Sequence, residues 1–285
     1  LLKNKNIDTI SIKVSSIDSQ MNIIDWKNTL LKLSVKIEEI IAICLEIKQK
    51  KTIHFDMENF KHFYLTIDLF KKVFSQKKYN TIPVSIALQA YLPHSLSIQK
   101  ELTLWAKKRV QGGGLPIKIR LVKGANLNLE IIEANKNNWK IPIHQSKIET
   151  DAQFKEMILF GCQKNHIKYV HLGIATHNIF DISYALVLRA THKIESKVHF
   201  ELLKGMAPPL TEIIHQITKN TLIYCPITNY KNFDPSMAYF VRRLDEQTKK
   251  ENFLYDFYNL RYNEPNWIKH KKAFLNACKK LSSKN

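Results

Sequence analysis

The chain has 285 residues, of which 45% are hydrophobic and 24% charged, and none of its apolar runs approaches the roughly 20 residues that a membrane-spanning helix requires. This composition is that of a globular protein and excludes a disordered chain, and the length suits one large domain such as an α/β barrel. The net charge of +19 would suit binding to nucleic acid, but the lysines are spread over nearly every predicted helix and do not cluster on one face. This spread disfavours a nucleic-acid-binding protein.

The cysteines and histidines do not predict a metal site or a disulfide scaffold. Cys44, Cys162, Cys225 and Cys278 are far apart and form no Cys-x-x-Cys pair, and the histidines show no ligand spacing. A reducing compartment is therefore expected. Because the chain begins at Leu1 and shows no signal-peptide pattern, we expect it to start inside a longer polypeptide.

Hydrophobic periodicity predicts strands that alternate with helices. The predicted strands lie at 9–14, 52–56, 84–90, 117–123, 169–175, 198–203 and 222–225. The predicted helices lie at 26–46 and 64–74, around 98–105, from 127, from 150, around 182–188 and from 234. This alternation favours parallel βα units over an antiparallel sheet.

Seven strands over some 240 residues favour a (βα)8 TIM-like barrel that is one strand short. A closed parallel barrel has eight strands, so one strand was either missed or lies before Leu1. Ligands bind such barrels at the carboxyl ends of the strands. Polar residues fall at those ends here: Lys13, Asp56, Gln89, Lys123, His177, Lys204 and Tyr224.

Residues 117–130 predict a strand, a glycine turn at Gly124 and a helix that Asn126 caps. A glycine allows a ligand to approach the backbone, and the helix start offers free N–H groups. With Arg120 and Lys123 beside them, these groups could hold an anion such as a cofactor phosphate. An ordinary strand with a buried arginine stem and a surface lysine is the open alternative.

The helix after Asp234 and Pro235 has two contrasting faces. The apolar face contains Met237, Phe240, Val241 and Leu244. The polar face contains Tyr239, Arg242, Arg243 and Glu246. Two adjacent guanidinium groups suit a small carboxylate ligand, with Glu246 orienting Arg242. The alternative is a solvated face with a routine Arg242–Glu246 pair.

Five short motifs, taken together, resemble the proline dehydrogenase domain of the bifunctional proline utilisation A flavoproteins, from about Ile7 to Leu254. They are residues 88–92 (LQAYL), 119–125 (IRLVKGA), 175–178 (ATHN), 200–206 (FELLKGM) and 239–244 (YFVRRL). The resemblance implies a distorted barrel that binds FAD, oxidises L-proline to Δ1-pyrroline-5-carboxylate and passes electrons to a membrane quinone. It also implies a cytoplasmic location, with peripheral contact at the inner face of the membrane as an option.

The same resemblance assigns functional positions. FAD-binding positions are matched by Gln89, Arg120, Val122, Lys123, Gly124, Ala125, Lys147, Thr176, His177, Asn178 and Glu201. The substrate pocket is matched by Lys13, Asp56, Leu203, Tyr224, Tyr239, Arg242, Arg243 and Glu246. In this assignment Arg242, Arg243 and Lys13 hold the proline carboxylate, while Tyr239 and Leu203 pack on the ring.

The chain also departs from the family pattern. Asn126 stands where many relatives have tyrosine, although one branch shares Gly-Ala-Asn, and neither the family's first strand nor its aldehyde dehydrogenase domain is found. We therefore expect an N-terminally incomplete barrel at 1–254 and a helical tail or linker at 255–285. Two alternatives stay open: an inactive remnant of such a flavoenzyme, and a basic nucleic-acid-binding protein.

Overall fold

The structure is a computed structural model that describes residues 4–46, 51–226 and 234–283. The chain divides into two compact units, Leu1–Leu172 and Gly173–Asn285. Strands and helices alternate along the described residues as the hydrophobic periodicity predicts.

Seven strands form one sheet in chain order, in which neighbouring strands from β1 to β4, and β6 with β7, pair in parallel. The strands are β1 (Thr9–Ile12), β2 (Thr52–Phe55), β3 (Val84–Gln89), β4 (Ile117–Val122), β5 (Val170–Ile174), β6 (Val198–Leu203) and β7 (Thr221–Tyr224). Each strand that the sequence predicts is confirmed. The result is the sheet of a TIM-like barrel with seven strands, one fewer than a closed barrel has, within the described residues.

Helices follow the strands. They are α1 (Val14–Ile17), α2 (Trp26–Glu46), α3 (Phe63–Phe74), α4 (Ser95–Gln111), α5 (Leu127–Lys136), α6 (Lys147–Cys162), α7 (Lys164–Ile167), α8 (Ile179–His192), α9 (Pro208–Thr218), α10 (Asp234–Thr248), α11 (Phe253–Asp256) and α12 (Pro265–Ser282). In the part of the chain that the structure describes, no helix has both the length and the apolarity needed to cross a membrane.

Two predicted boundaries are wrong for local reasons. The first strand ends at Ile12, not Val14, because Val14 starts the one-turn helix α1 and is fully buried there. Helix α6 begins at Lys147, three residues before the predicted start, because Ser146 caps it. Both errors come from local interactions that hydrophobic periodicity does not register.

In the first unit, β2 packs on α3 through aromatic edges. The Phe55 ring lies 5.5 Å from Phe70 and 5.8 Å from Phe74, and all three side chains are fully buried. Burying each such side chain stabilises the fold by about 1.5 to 3 kcal/mol. This packing fixes the strand that ends just before Asp56.

In the second unit, the C-terminal helix α12 packs on α8. The Phe180 ring lies 5.0 Å from Trp267 and 6.0 Å from Phe274. These ring contacts make α12 part of the packing of its unit. The predicted boundary between a barrel at 1–254 and a tail at 255–285 stays a prediction.

The turn from β4 to α5 depends on Gly124. Its φ angle is +126°, and a Cβ atom built there would lie 1.9 Å from Cδ1 of Tyr91, which is 2% exposed. The hydroxyl of Tyr91 donates to Oε1 of Glu130, so the ring is held from the start of α5. The packing of Tyr91 therefore requires a glycine here, while access of a ligand to the Gly124 backbone stays a prediction.

Helix α6 starts with a capping box. The Glu149 backbone N–H donates to the Ser146 hydroxyl at 3.4 Å, and the Ser146 backbone N–H donates to the Glu149 carboxylate at 3.2 Å. Asn126, in contrast, precedes α5 as predicted but forms no side-chain cap there. The capping role predicted for Asn126 is therefore wrong, whereas the predicted start of α5 is confirmed.

We expect Ser146→Ala to lower the free energy of unfolding by about 1 kcal/mol, because the Glu149 backbone N–H loses its acceptor, the Ser146 hydroxyl. Urea unfolding measures this change. Ser97→Ala is the control, since the exposed Ser97 hydroxyl only donates to the His94 carbonyl. Equal effects of the two substitutions would contradict the importance of the capping box.

We expect Gly124→Ala to destabilise the protein by about 2 to 4 kcal/mol, because the new methyl group displaces Tyr91 and the backbone is strained at positive φ. Gly113→Ala is the matched control: its φ is +84°, but nothing lies within 4 Å of the added Cβ. Gly113→Ala should therefore lower the free energy of unfolding by about 1 kcal/mol, the contribution of backbone strain alone. A smaller loss for Gly124→Ala than for Gly113→Ala would overturn this explanation.

Candidate active site

In the first unit, Asp56 and Arg120 form an ion pair at the carboxyl ends of the strands. Nη1 of Arg120 donates to Oδ1 of Asp56 at 2.9 Å, and the two side chains are only 7% and 15% exposed. The Ser11 hydroxyl donates to Oδ2 at 2.6 Å, and Nε2 of His54 lies 3.1 Å from Oδ1. Burial alone would raise the pKa of Asp56, but His54, Arg120 and Ser11 hold it well below its usual range, so the group is ionised.

Gln89 ends β3 and is anchored on one side only. Its Nε2 donates to the backbone oxygen of Glu58 at 2.9 Å, and Glu58 in turn accepts hydrogen bonds from the backbone N–H and hydroxyl of Ser15. Its Oε1 is buried and has no donor among the described residues. A ligand N–H group would satisfy this acceptor. Lys13, which precedes α1, is exposed.

Asp151 brings two predicted lysines together. Lys123 follows β4 and Lys147 opens α6, and the Nζ atom of each lies 2.5 Å from a carboxylate oxygen of Asp151. Burial would raise the pKa of Asp151, but the two lysines hold it well below its usual range. Lys123 and Lys147 are therefore held by an internal carboxylate. Val122 ends β4 half-buried, and Ala125 is exposed before α5.

In the second unit, residues 176–178 follow β5. The backbone N–H of Leu203, at the end of β6, donates to Nε2 of His177 at 3.3 Å. Burial lowers the pKa of His177 to about 4, assisted by the charge of Arg243, so the ring is neutral at pH 7. Its proton is therefore on Nδ1, which is a donor. Asn178 caps α8 by accepting from the Phe180 N–H at 3.0 Å, and Thr176 accepts from the Asn178 N–H.

Glu201 on β6 is 3% exposed and lies against Gly173 on β5. A Cβ atom at Gly173 would come within 2.2 Å of Oε1 of Glu201. The missing side chain at Gly173 is thus what admits the carboxylate of Glu201. The resemblance implies a role in FAD binding for Glu201, whereas no sequence motif indicates Gly173.

On α10 the predicted polar residues do come together. Nη2 of Arg243 donates to Oε1 of Glu246 at 2.7 Å, and the Arg243 guanidinium lies over the Tyr239 ring at 5.0 Å. The Tyr239 ring lies 6.4 Å from Tyr224. The predicted Arg242–Glu246 pair is wrong: at three residues' spacing Arg243 is the partner that reaches the carboxylate. Burial raises the pKa of both Tyr239 and Glu246.

Helix α10 exposes its apolar face to solvent and shields its charged face, whereas an ordinary surface helix does the reverse. The apolar side chains are largely exposed to solvent: Met237 46%, Phe240 53%, Val241 52% and Leu244 61%. The side chains of Arg243 and Glu246 are only 15% and 24% exposed. This inversion argues against the alternative of a solvated polar face. The prediction that Asp234 and Pro235 start and cap this helix concerns side chains that the structure does not describe.

Several residues that shape the site were missed by sequence reasoning: His54, Glu58, Ser85, Asp151 and Gly173. Asp151 carried a signal, because it lies four residues after Lys147 on one helix. His54 carried another, because it lies two residues before Asp56 on the same face of β2. Gly173 carried none, since only its spatial neighbour explains it.

A family model described as proline dehydrogenase matches residues 3–256. No curated protein matches the chain in sequence. Among solved structures, proline utilization A from Corynebacterium freiburgense is 31% identical and superimposes with a TM-score of 0.88, covering 99% of this chain and 27% of that one. Proline utilization A from Bdellovibrio bacteriovorus, inactivated by N-propargylglycine, is 27% identical with a TM-score of 0.83, covering 95% and 27%.

This chain spans about a quarter of the length of those two proteins. The likeness extends over its seven-stranded TIM-like barrel, and the family match covers most of its length. The resemblance that the five sequence motifs indicate is thereby confirmed. The chain belongs to the proline dehydrogenase family.

Proposed function

We propose that this chain carries the substrate and cofactor site of an FAD-dependent proline dehydrogenase, which oxidises L-proline to Δ1-pyrroline-5-carboxylate and passes the electrons to a quinone. Membership of the family supports the reaction class. The observation that carries the proposal within this chain is the shielded charged face of α10, where Arg243, Glu246 and Tyr239 contact one another.

The α10 residues suit an amino acid substrate. An arginine presents two parallel N–H groups that match a carboxylate, and the Glu246 contact uses only one Nη atom of Arg243. Nε of Arg243 is buried and has no acceptor among the described residues, so it is a donor without a partner there. The adjacent Arg242 adds a second positive charge, and the aromatic faces of Tyr239 and Tyr224 suit the apolar ring of proline.

Two buried acceptors in the first unit fit FAD. Oε1 of Gln89 and Oδ1 of Asn126 are buried without donors among the described residues, which suits the N–H and O–H groups of a flavin nucleotide. Arg120, Lys123 and Lys147 supply positive charge around them, although Asp56 and Asp151 neutralise part of it. FAD, when bound, would supply the acceptor for a hydride from proline C5.

The protein groups bind and orient in this proposal, and none acts as a nucleophile. In the second unit neutral His177 has a donor at Nδ1. We propose that the buried Glu201 and the half-buried Thr176 and Asn178 bind the cofactor, as the resemblance implies. We propose, as the resemblance implies, that Leu203 packs on the substrate ring and that Lys13 binds the substrate carboxylate. Peripheral membrane contact would follow from a quinone acceptor.

The competing proposal is a remnant that keeps the scaffold but binds FAD weakly or does not turn over. The net charge of +19 is the sole support for the nucleic-acid alternative. Salt-sensitive retention on DNA by a flavin-free chain would favour it.

We expect the chain, purified with added FAD, to show a bound-flavin absorbance spectrum that bleaches when millimolar L-proline is added without oxygen. Absorbance near the flavin maximum measures the reduction. D-proline is the control, because the reversed configuration misplaces the carboxylate relative to C5. A flavin-loaded chain that L-proline fails to bleach would identify the inactive remnant.

We expect Arg243→Lys to raise the KM for proline by about tenfold or more while the flavin content stays unchanged, because lysine keeps the charge but loses the two-pronged geometry and one charged hydrogen bond is worth about 1.5 to 3 kcal/mol. Steady-state kinetics with an artificial electron acceptor measures KM. Arg261→Lys, at an exposed arginine of the same unit, is the matched control. An unchanged KM would remove Arg243 from the substrate site.

A further inference from the structure

Two polar layers lie on one face of strands β1 to β4. The parallel registers align Ser11 with His54 and His54 with Ser85, which places these side chains side by side in one layer. Asp56 lies two residues beyond His54 and therefore on the same face, one layer nearer the carboxyl ends. Arg120 is in register with Ala87 of β3 and reaches Asp56 in that upper layer.

His54 joins the two layers. Its side chain is fully buried, with Nδ1 2.8 Å from the Ser85 hydroxyl and Nε2 3.1 Å from Oδ1 of Asp56. An ionised carboxylate is only an acceptor, so Nε2 of His54 donates to it. Oδ1 of Asp56 therefore receives two donors, one from His54 below and one from Arg120.

We propose that His54 is a positioning residue, anchored by Ser85, that holds Asp56 and through it Arg120 in the geometry that the cofactor site requires. The inference rests on the proposed function only for the last step, from Arg120 to FAD. Asp56 follows the last residue of β2, so its backbone alone leaves the carboxylate free to rotate. Contacts at both oxygens, from Ser11 and His54, remove that freedom before a ligand binds.

The small side chain of Ala87 leaves room for Arg120 to reach Asp56. Arg120 lies on β4 and Asp56 follows β2, with β3 between them, and Ala87 is the residue of β3 in register with Arg120. Its methyl side chain lets the guanidinium cross over β3. The pair is thereby set by three neighbouring strands and not by one flexible loop.

The two ring nitrogens of His54 can be replaced separately. In His54→Gln the amide nitrogen stands near the place of Nε2 and keeps a donor to Asp56, whereas in His54→Asn it stands near the place of Nδ1 and keeps only the contact with Ser85. His166→Asn is the matched control, because Nδ1 of His166 contacts a backbone oxygen near the opposite ends of the strands. The measurements are the FAD dissociation constant and the NMR signal of the Arg120 Nε–H group in the protein without added FAD.

We expect His54→Asn to weaken FAD binding about fivefold or more and to shift the Arg120 Nε–H signal, while His54→Gln stays within about twofold and His166→Asn has no effect. Equal behaviour of His54→Asn and His54→Gln, or an Arg120 signal unmoved by His54→Asn, would overturn the proposal. If the unsubstituted chain binds no FAD, the proposed function fails, and the Arg120 signal still decides the positioning role. If His54→Asn does not fold, Ser85→Ala replaces it and must shift the same signal.

Discussion

The first unit depends on keeping a nearly buried carboxylate ionised. Transferring an isolated carboxylate from water into a protein interior costs several kcal/mol, so Asp56 requires donors at both of its oxygens. Ser11 from β1, His54 from β2 and Arg120 from β4 supply them. The requirement therefore ties three strands together at their carboxyl ends, where a TIM-like barrel binds its ligands. Asp151 repeats the principle with Lys123 and Lys147, which fixes the start of α6 to the end of β4.

The second unit satisfies its charges in a different way. Helix α10 shields Arg243 and Glu246 while it leaves Phe240 and Leu244 more than half exposed. A helix stabilised by packing alone would turn its apolar face inward. In the opposite orientation seen here, the shielded face of α10 is the charged one, and it includes the Arg243–Tyr239 cation–π contact.

The sequence was sufficient for the strands because their signal is local. Central parallel strands such as β3 are buried on both faces and appear as short apolar runs, whereas the half-buried β1 shows an alternating pattern. All seven strands were found from such patterns, and β3 and β6 were placed to within one residue at each end. Errors arose where a side chain and a backbone group decide the boundary, as at Ser146, or where helical geometry decides between two partners, as for Glu246 with Arg243 instead of Arg242. The strand-end residues of the candidate site were predictable for the same reason as the strands. Their partners were not, because the His54–Ser85 and Asp56–Arg120 contacts join residues 31 and 64 positions apart.

Positions without large side chains explain why these contacts cannot be inferred from polar residues alone. Gly124 yields its space to the Tyr91 ring, Gly173 yields its space to the Glu201 carboxylate, and Ala87 leaves room for Arg120 to pass over β3. In each case a small residue makes room for a large side chain, and that side chain belongs to a residue that is distant in sequence. A charged group inside a close-packed barrel needs both a partner and a vacant volume. The partner is a polar residue that a sequence motif can reveal, whereas the vacancy becomes recognisable only when the strands are placed side by side. The residues that most constrain this site are accordingly ones that carry no chemistry of their own.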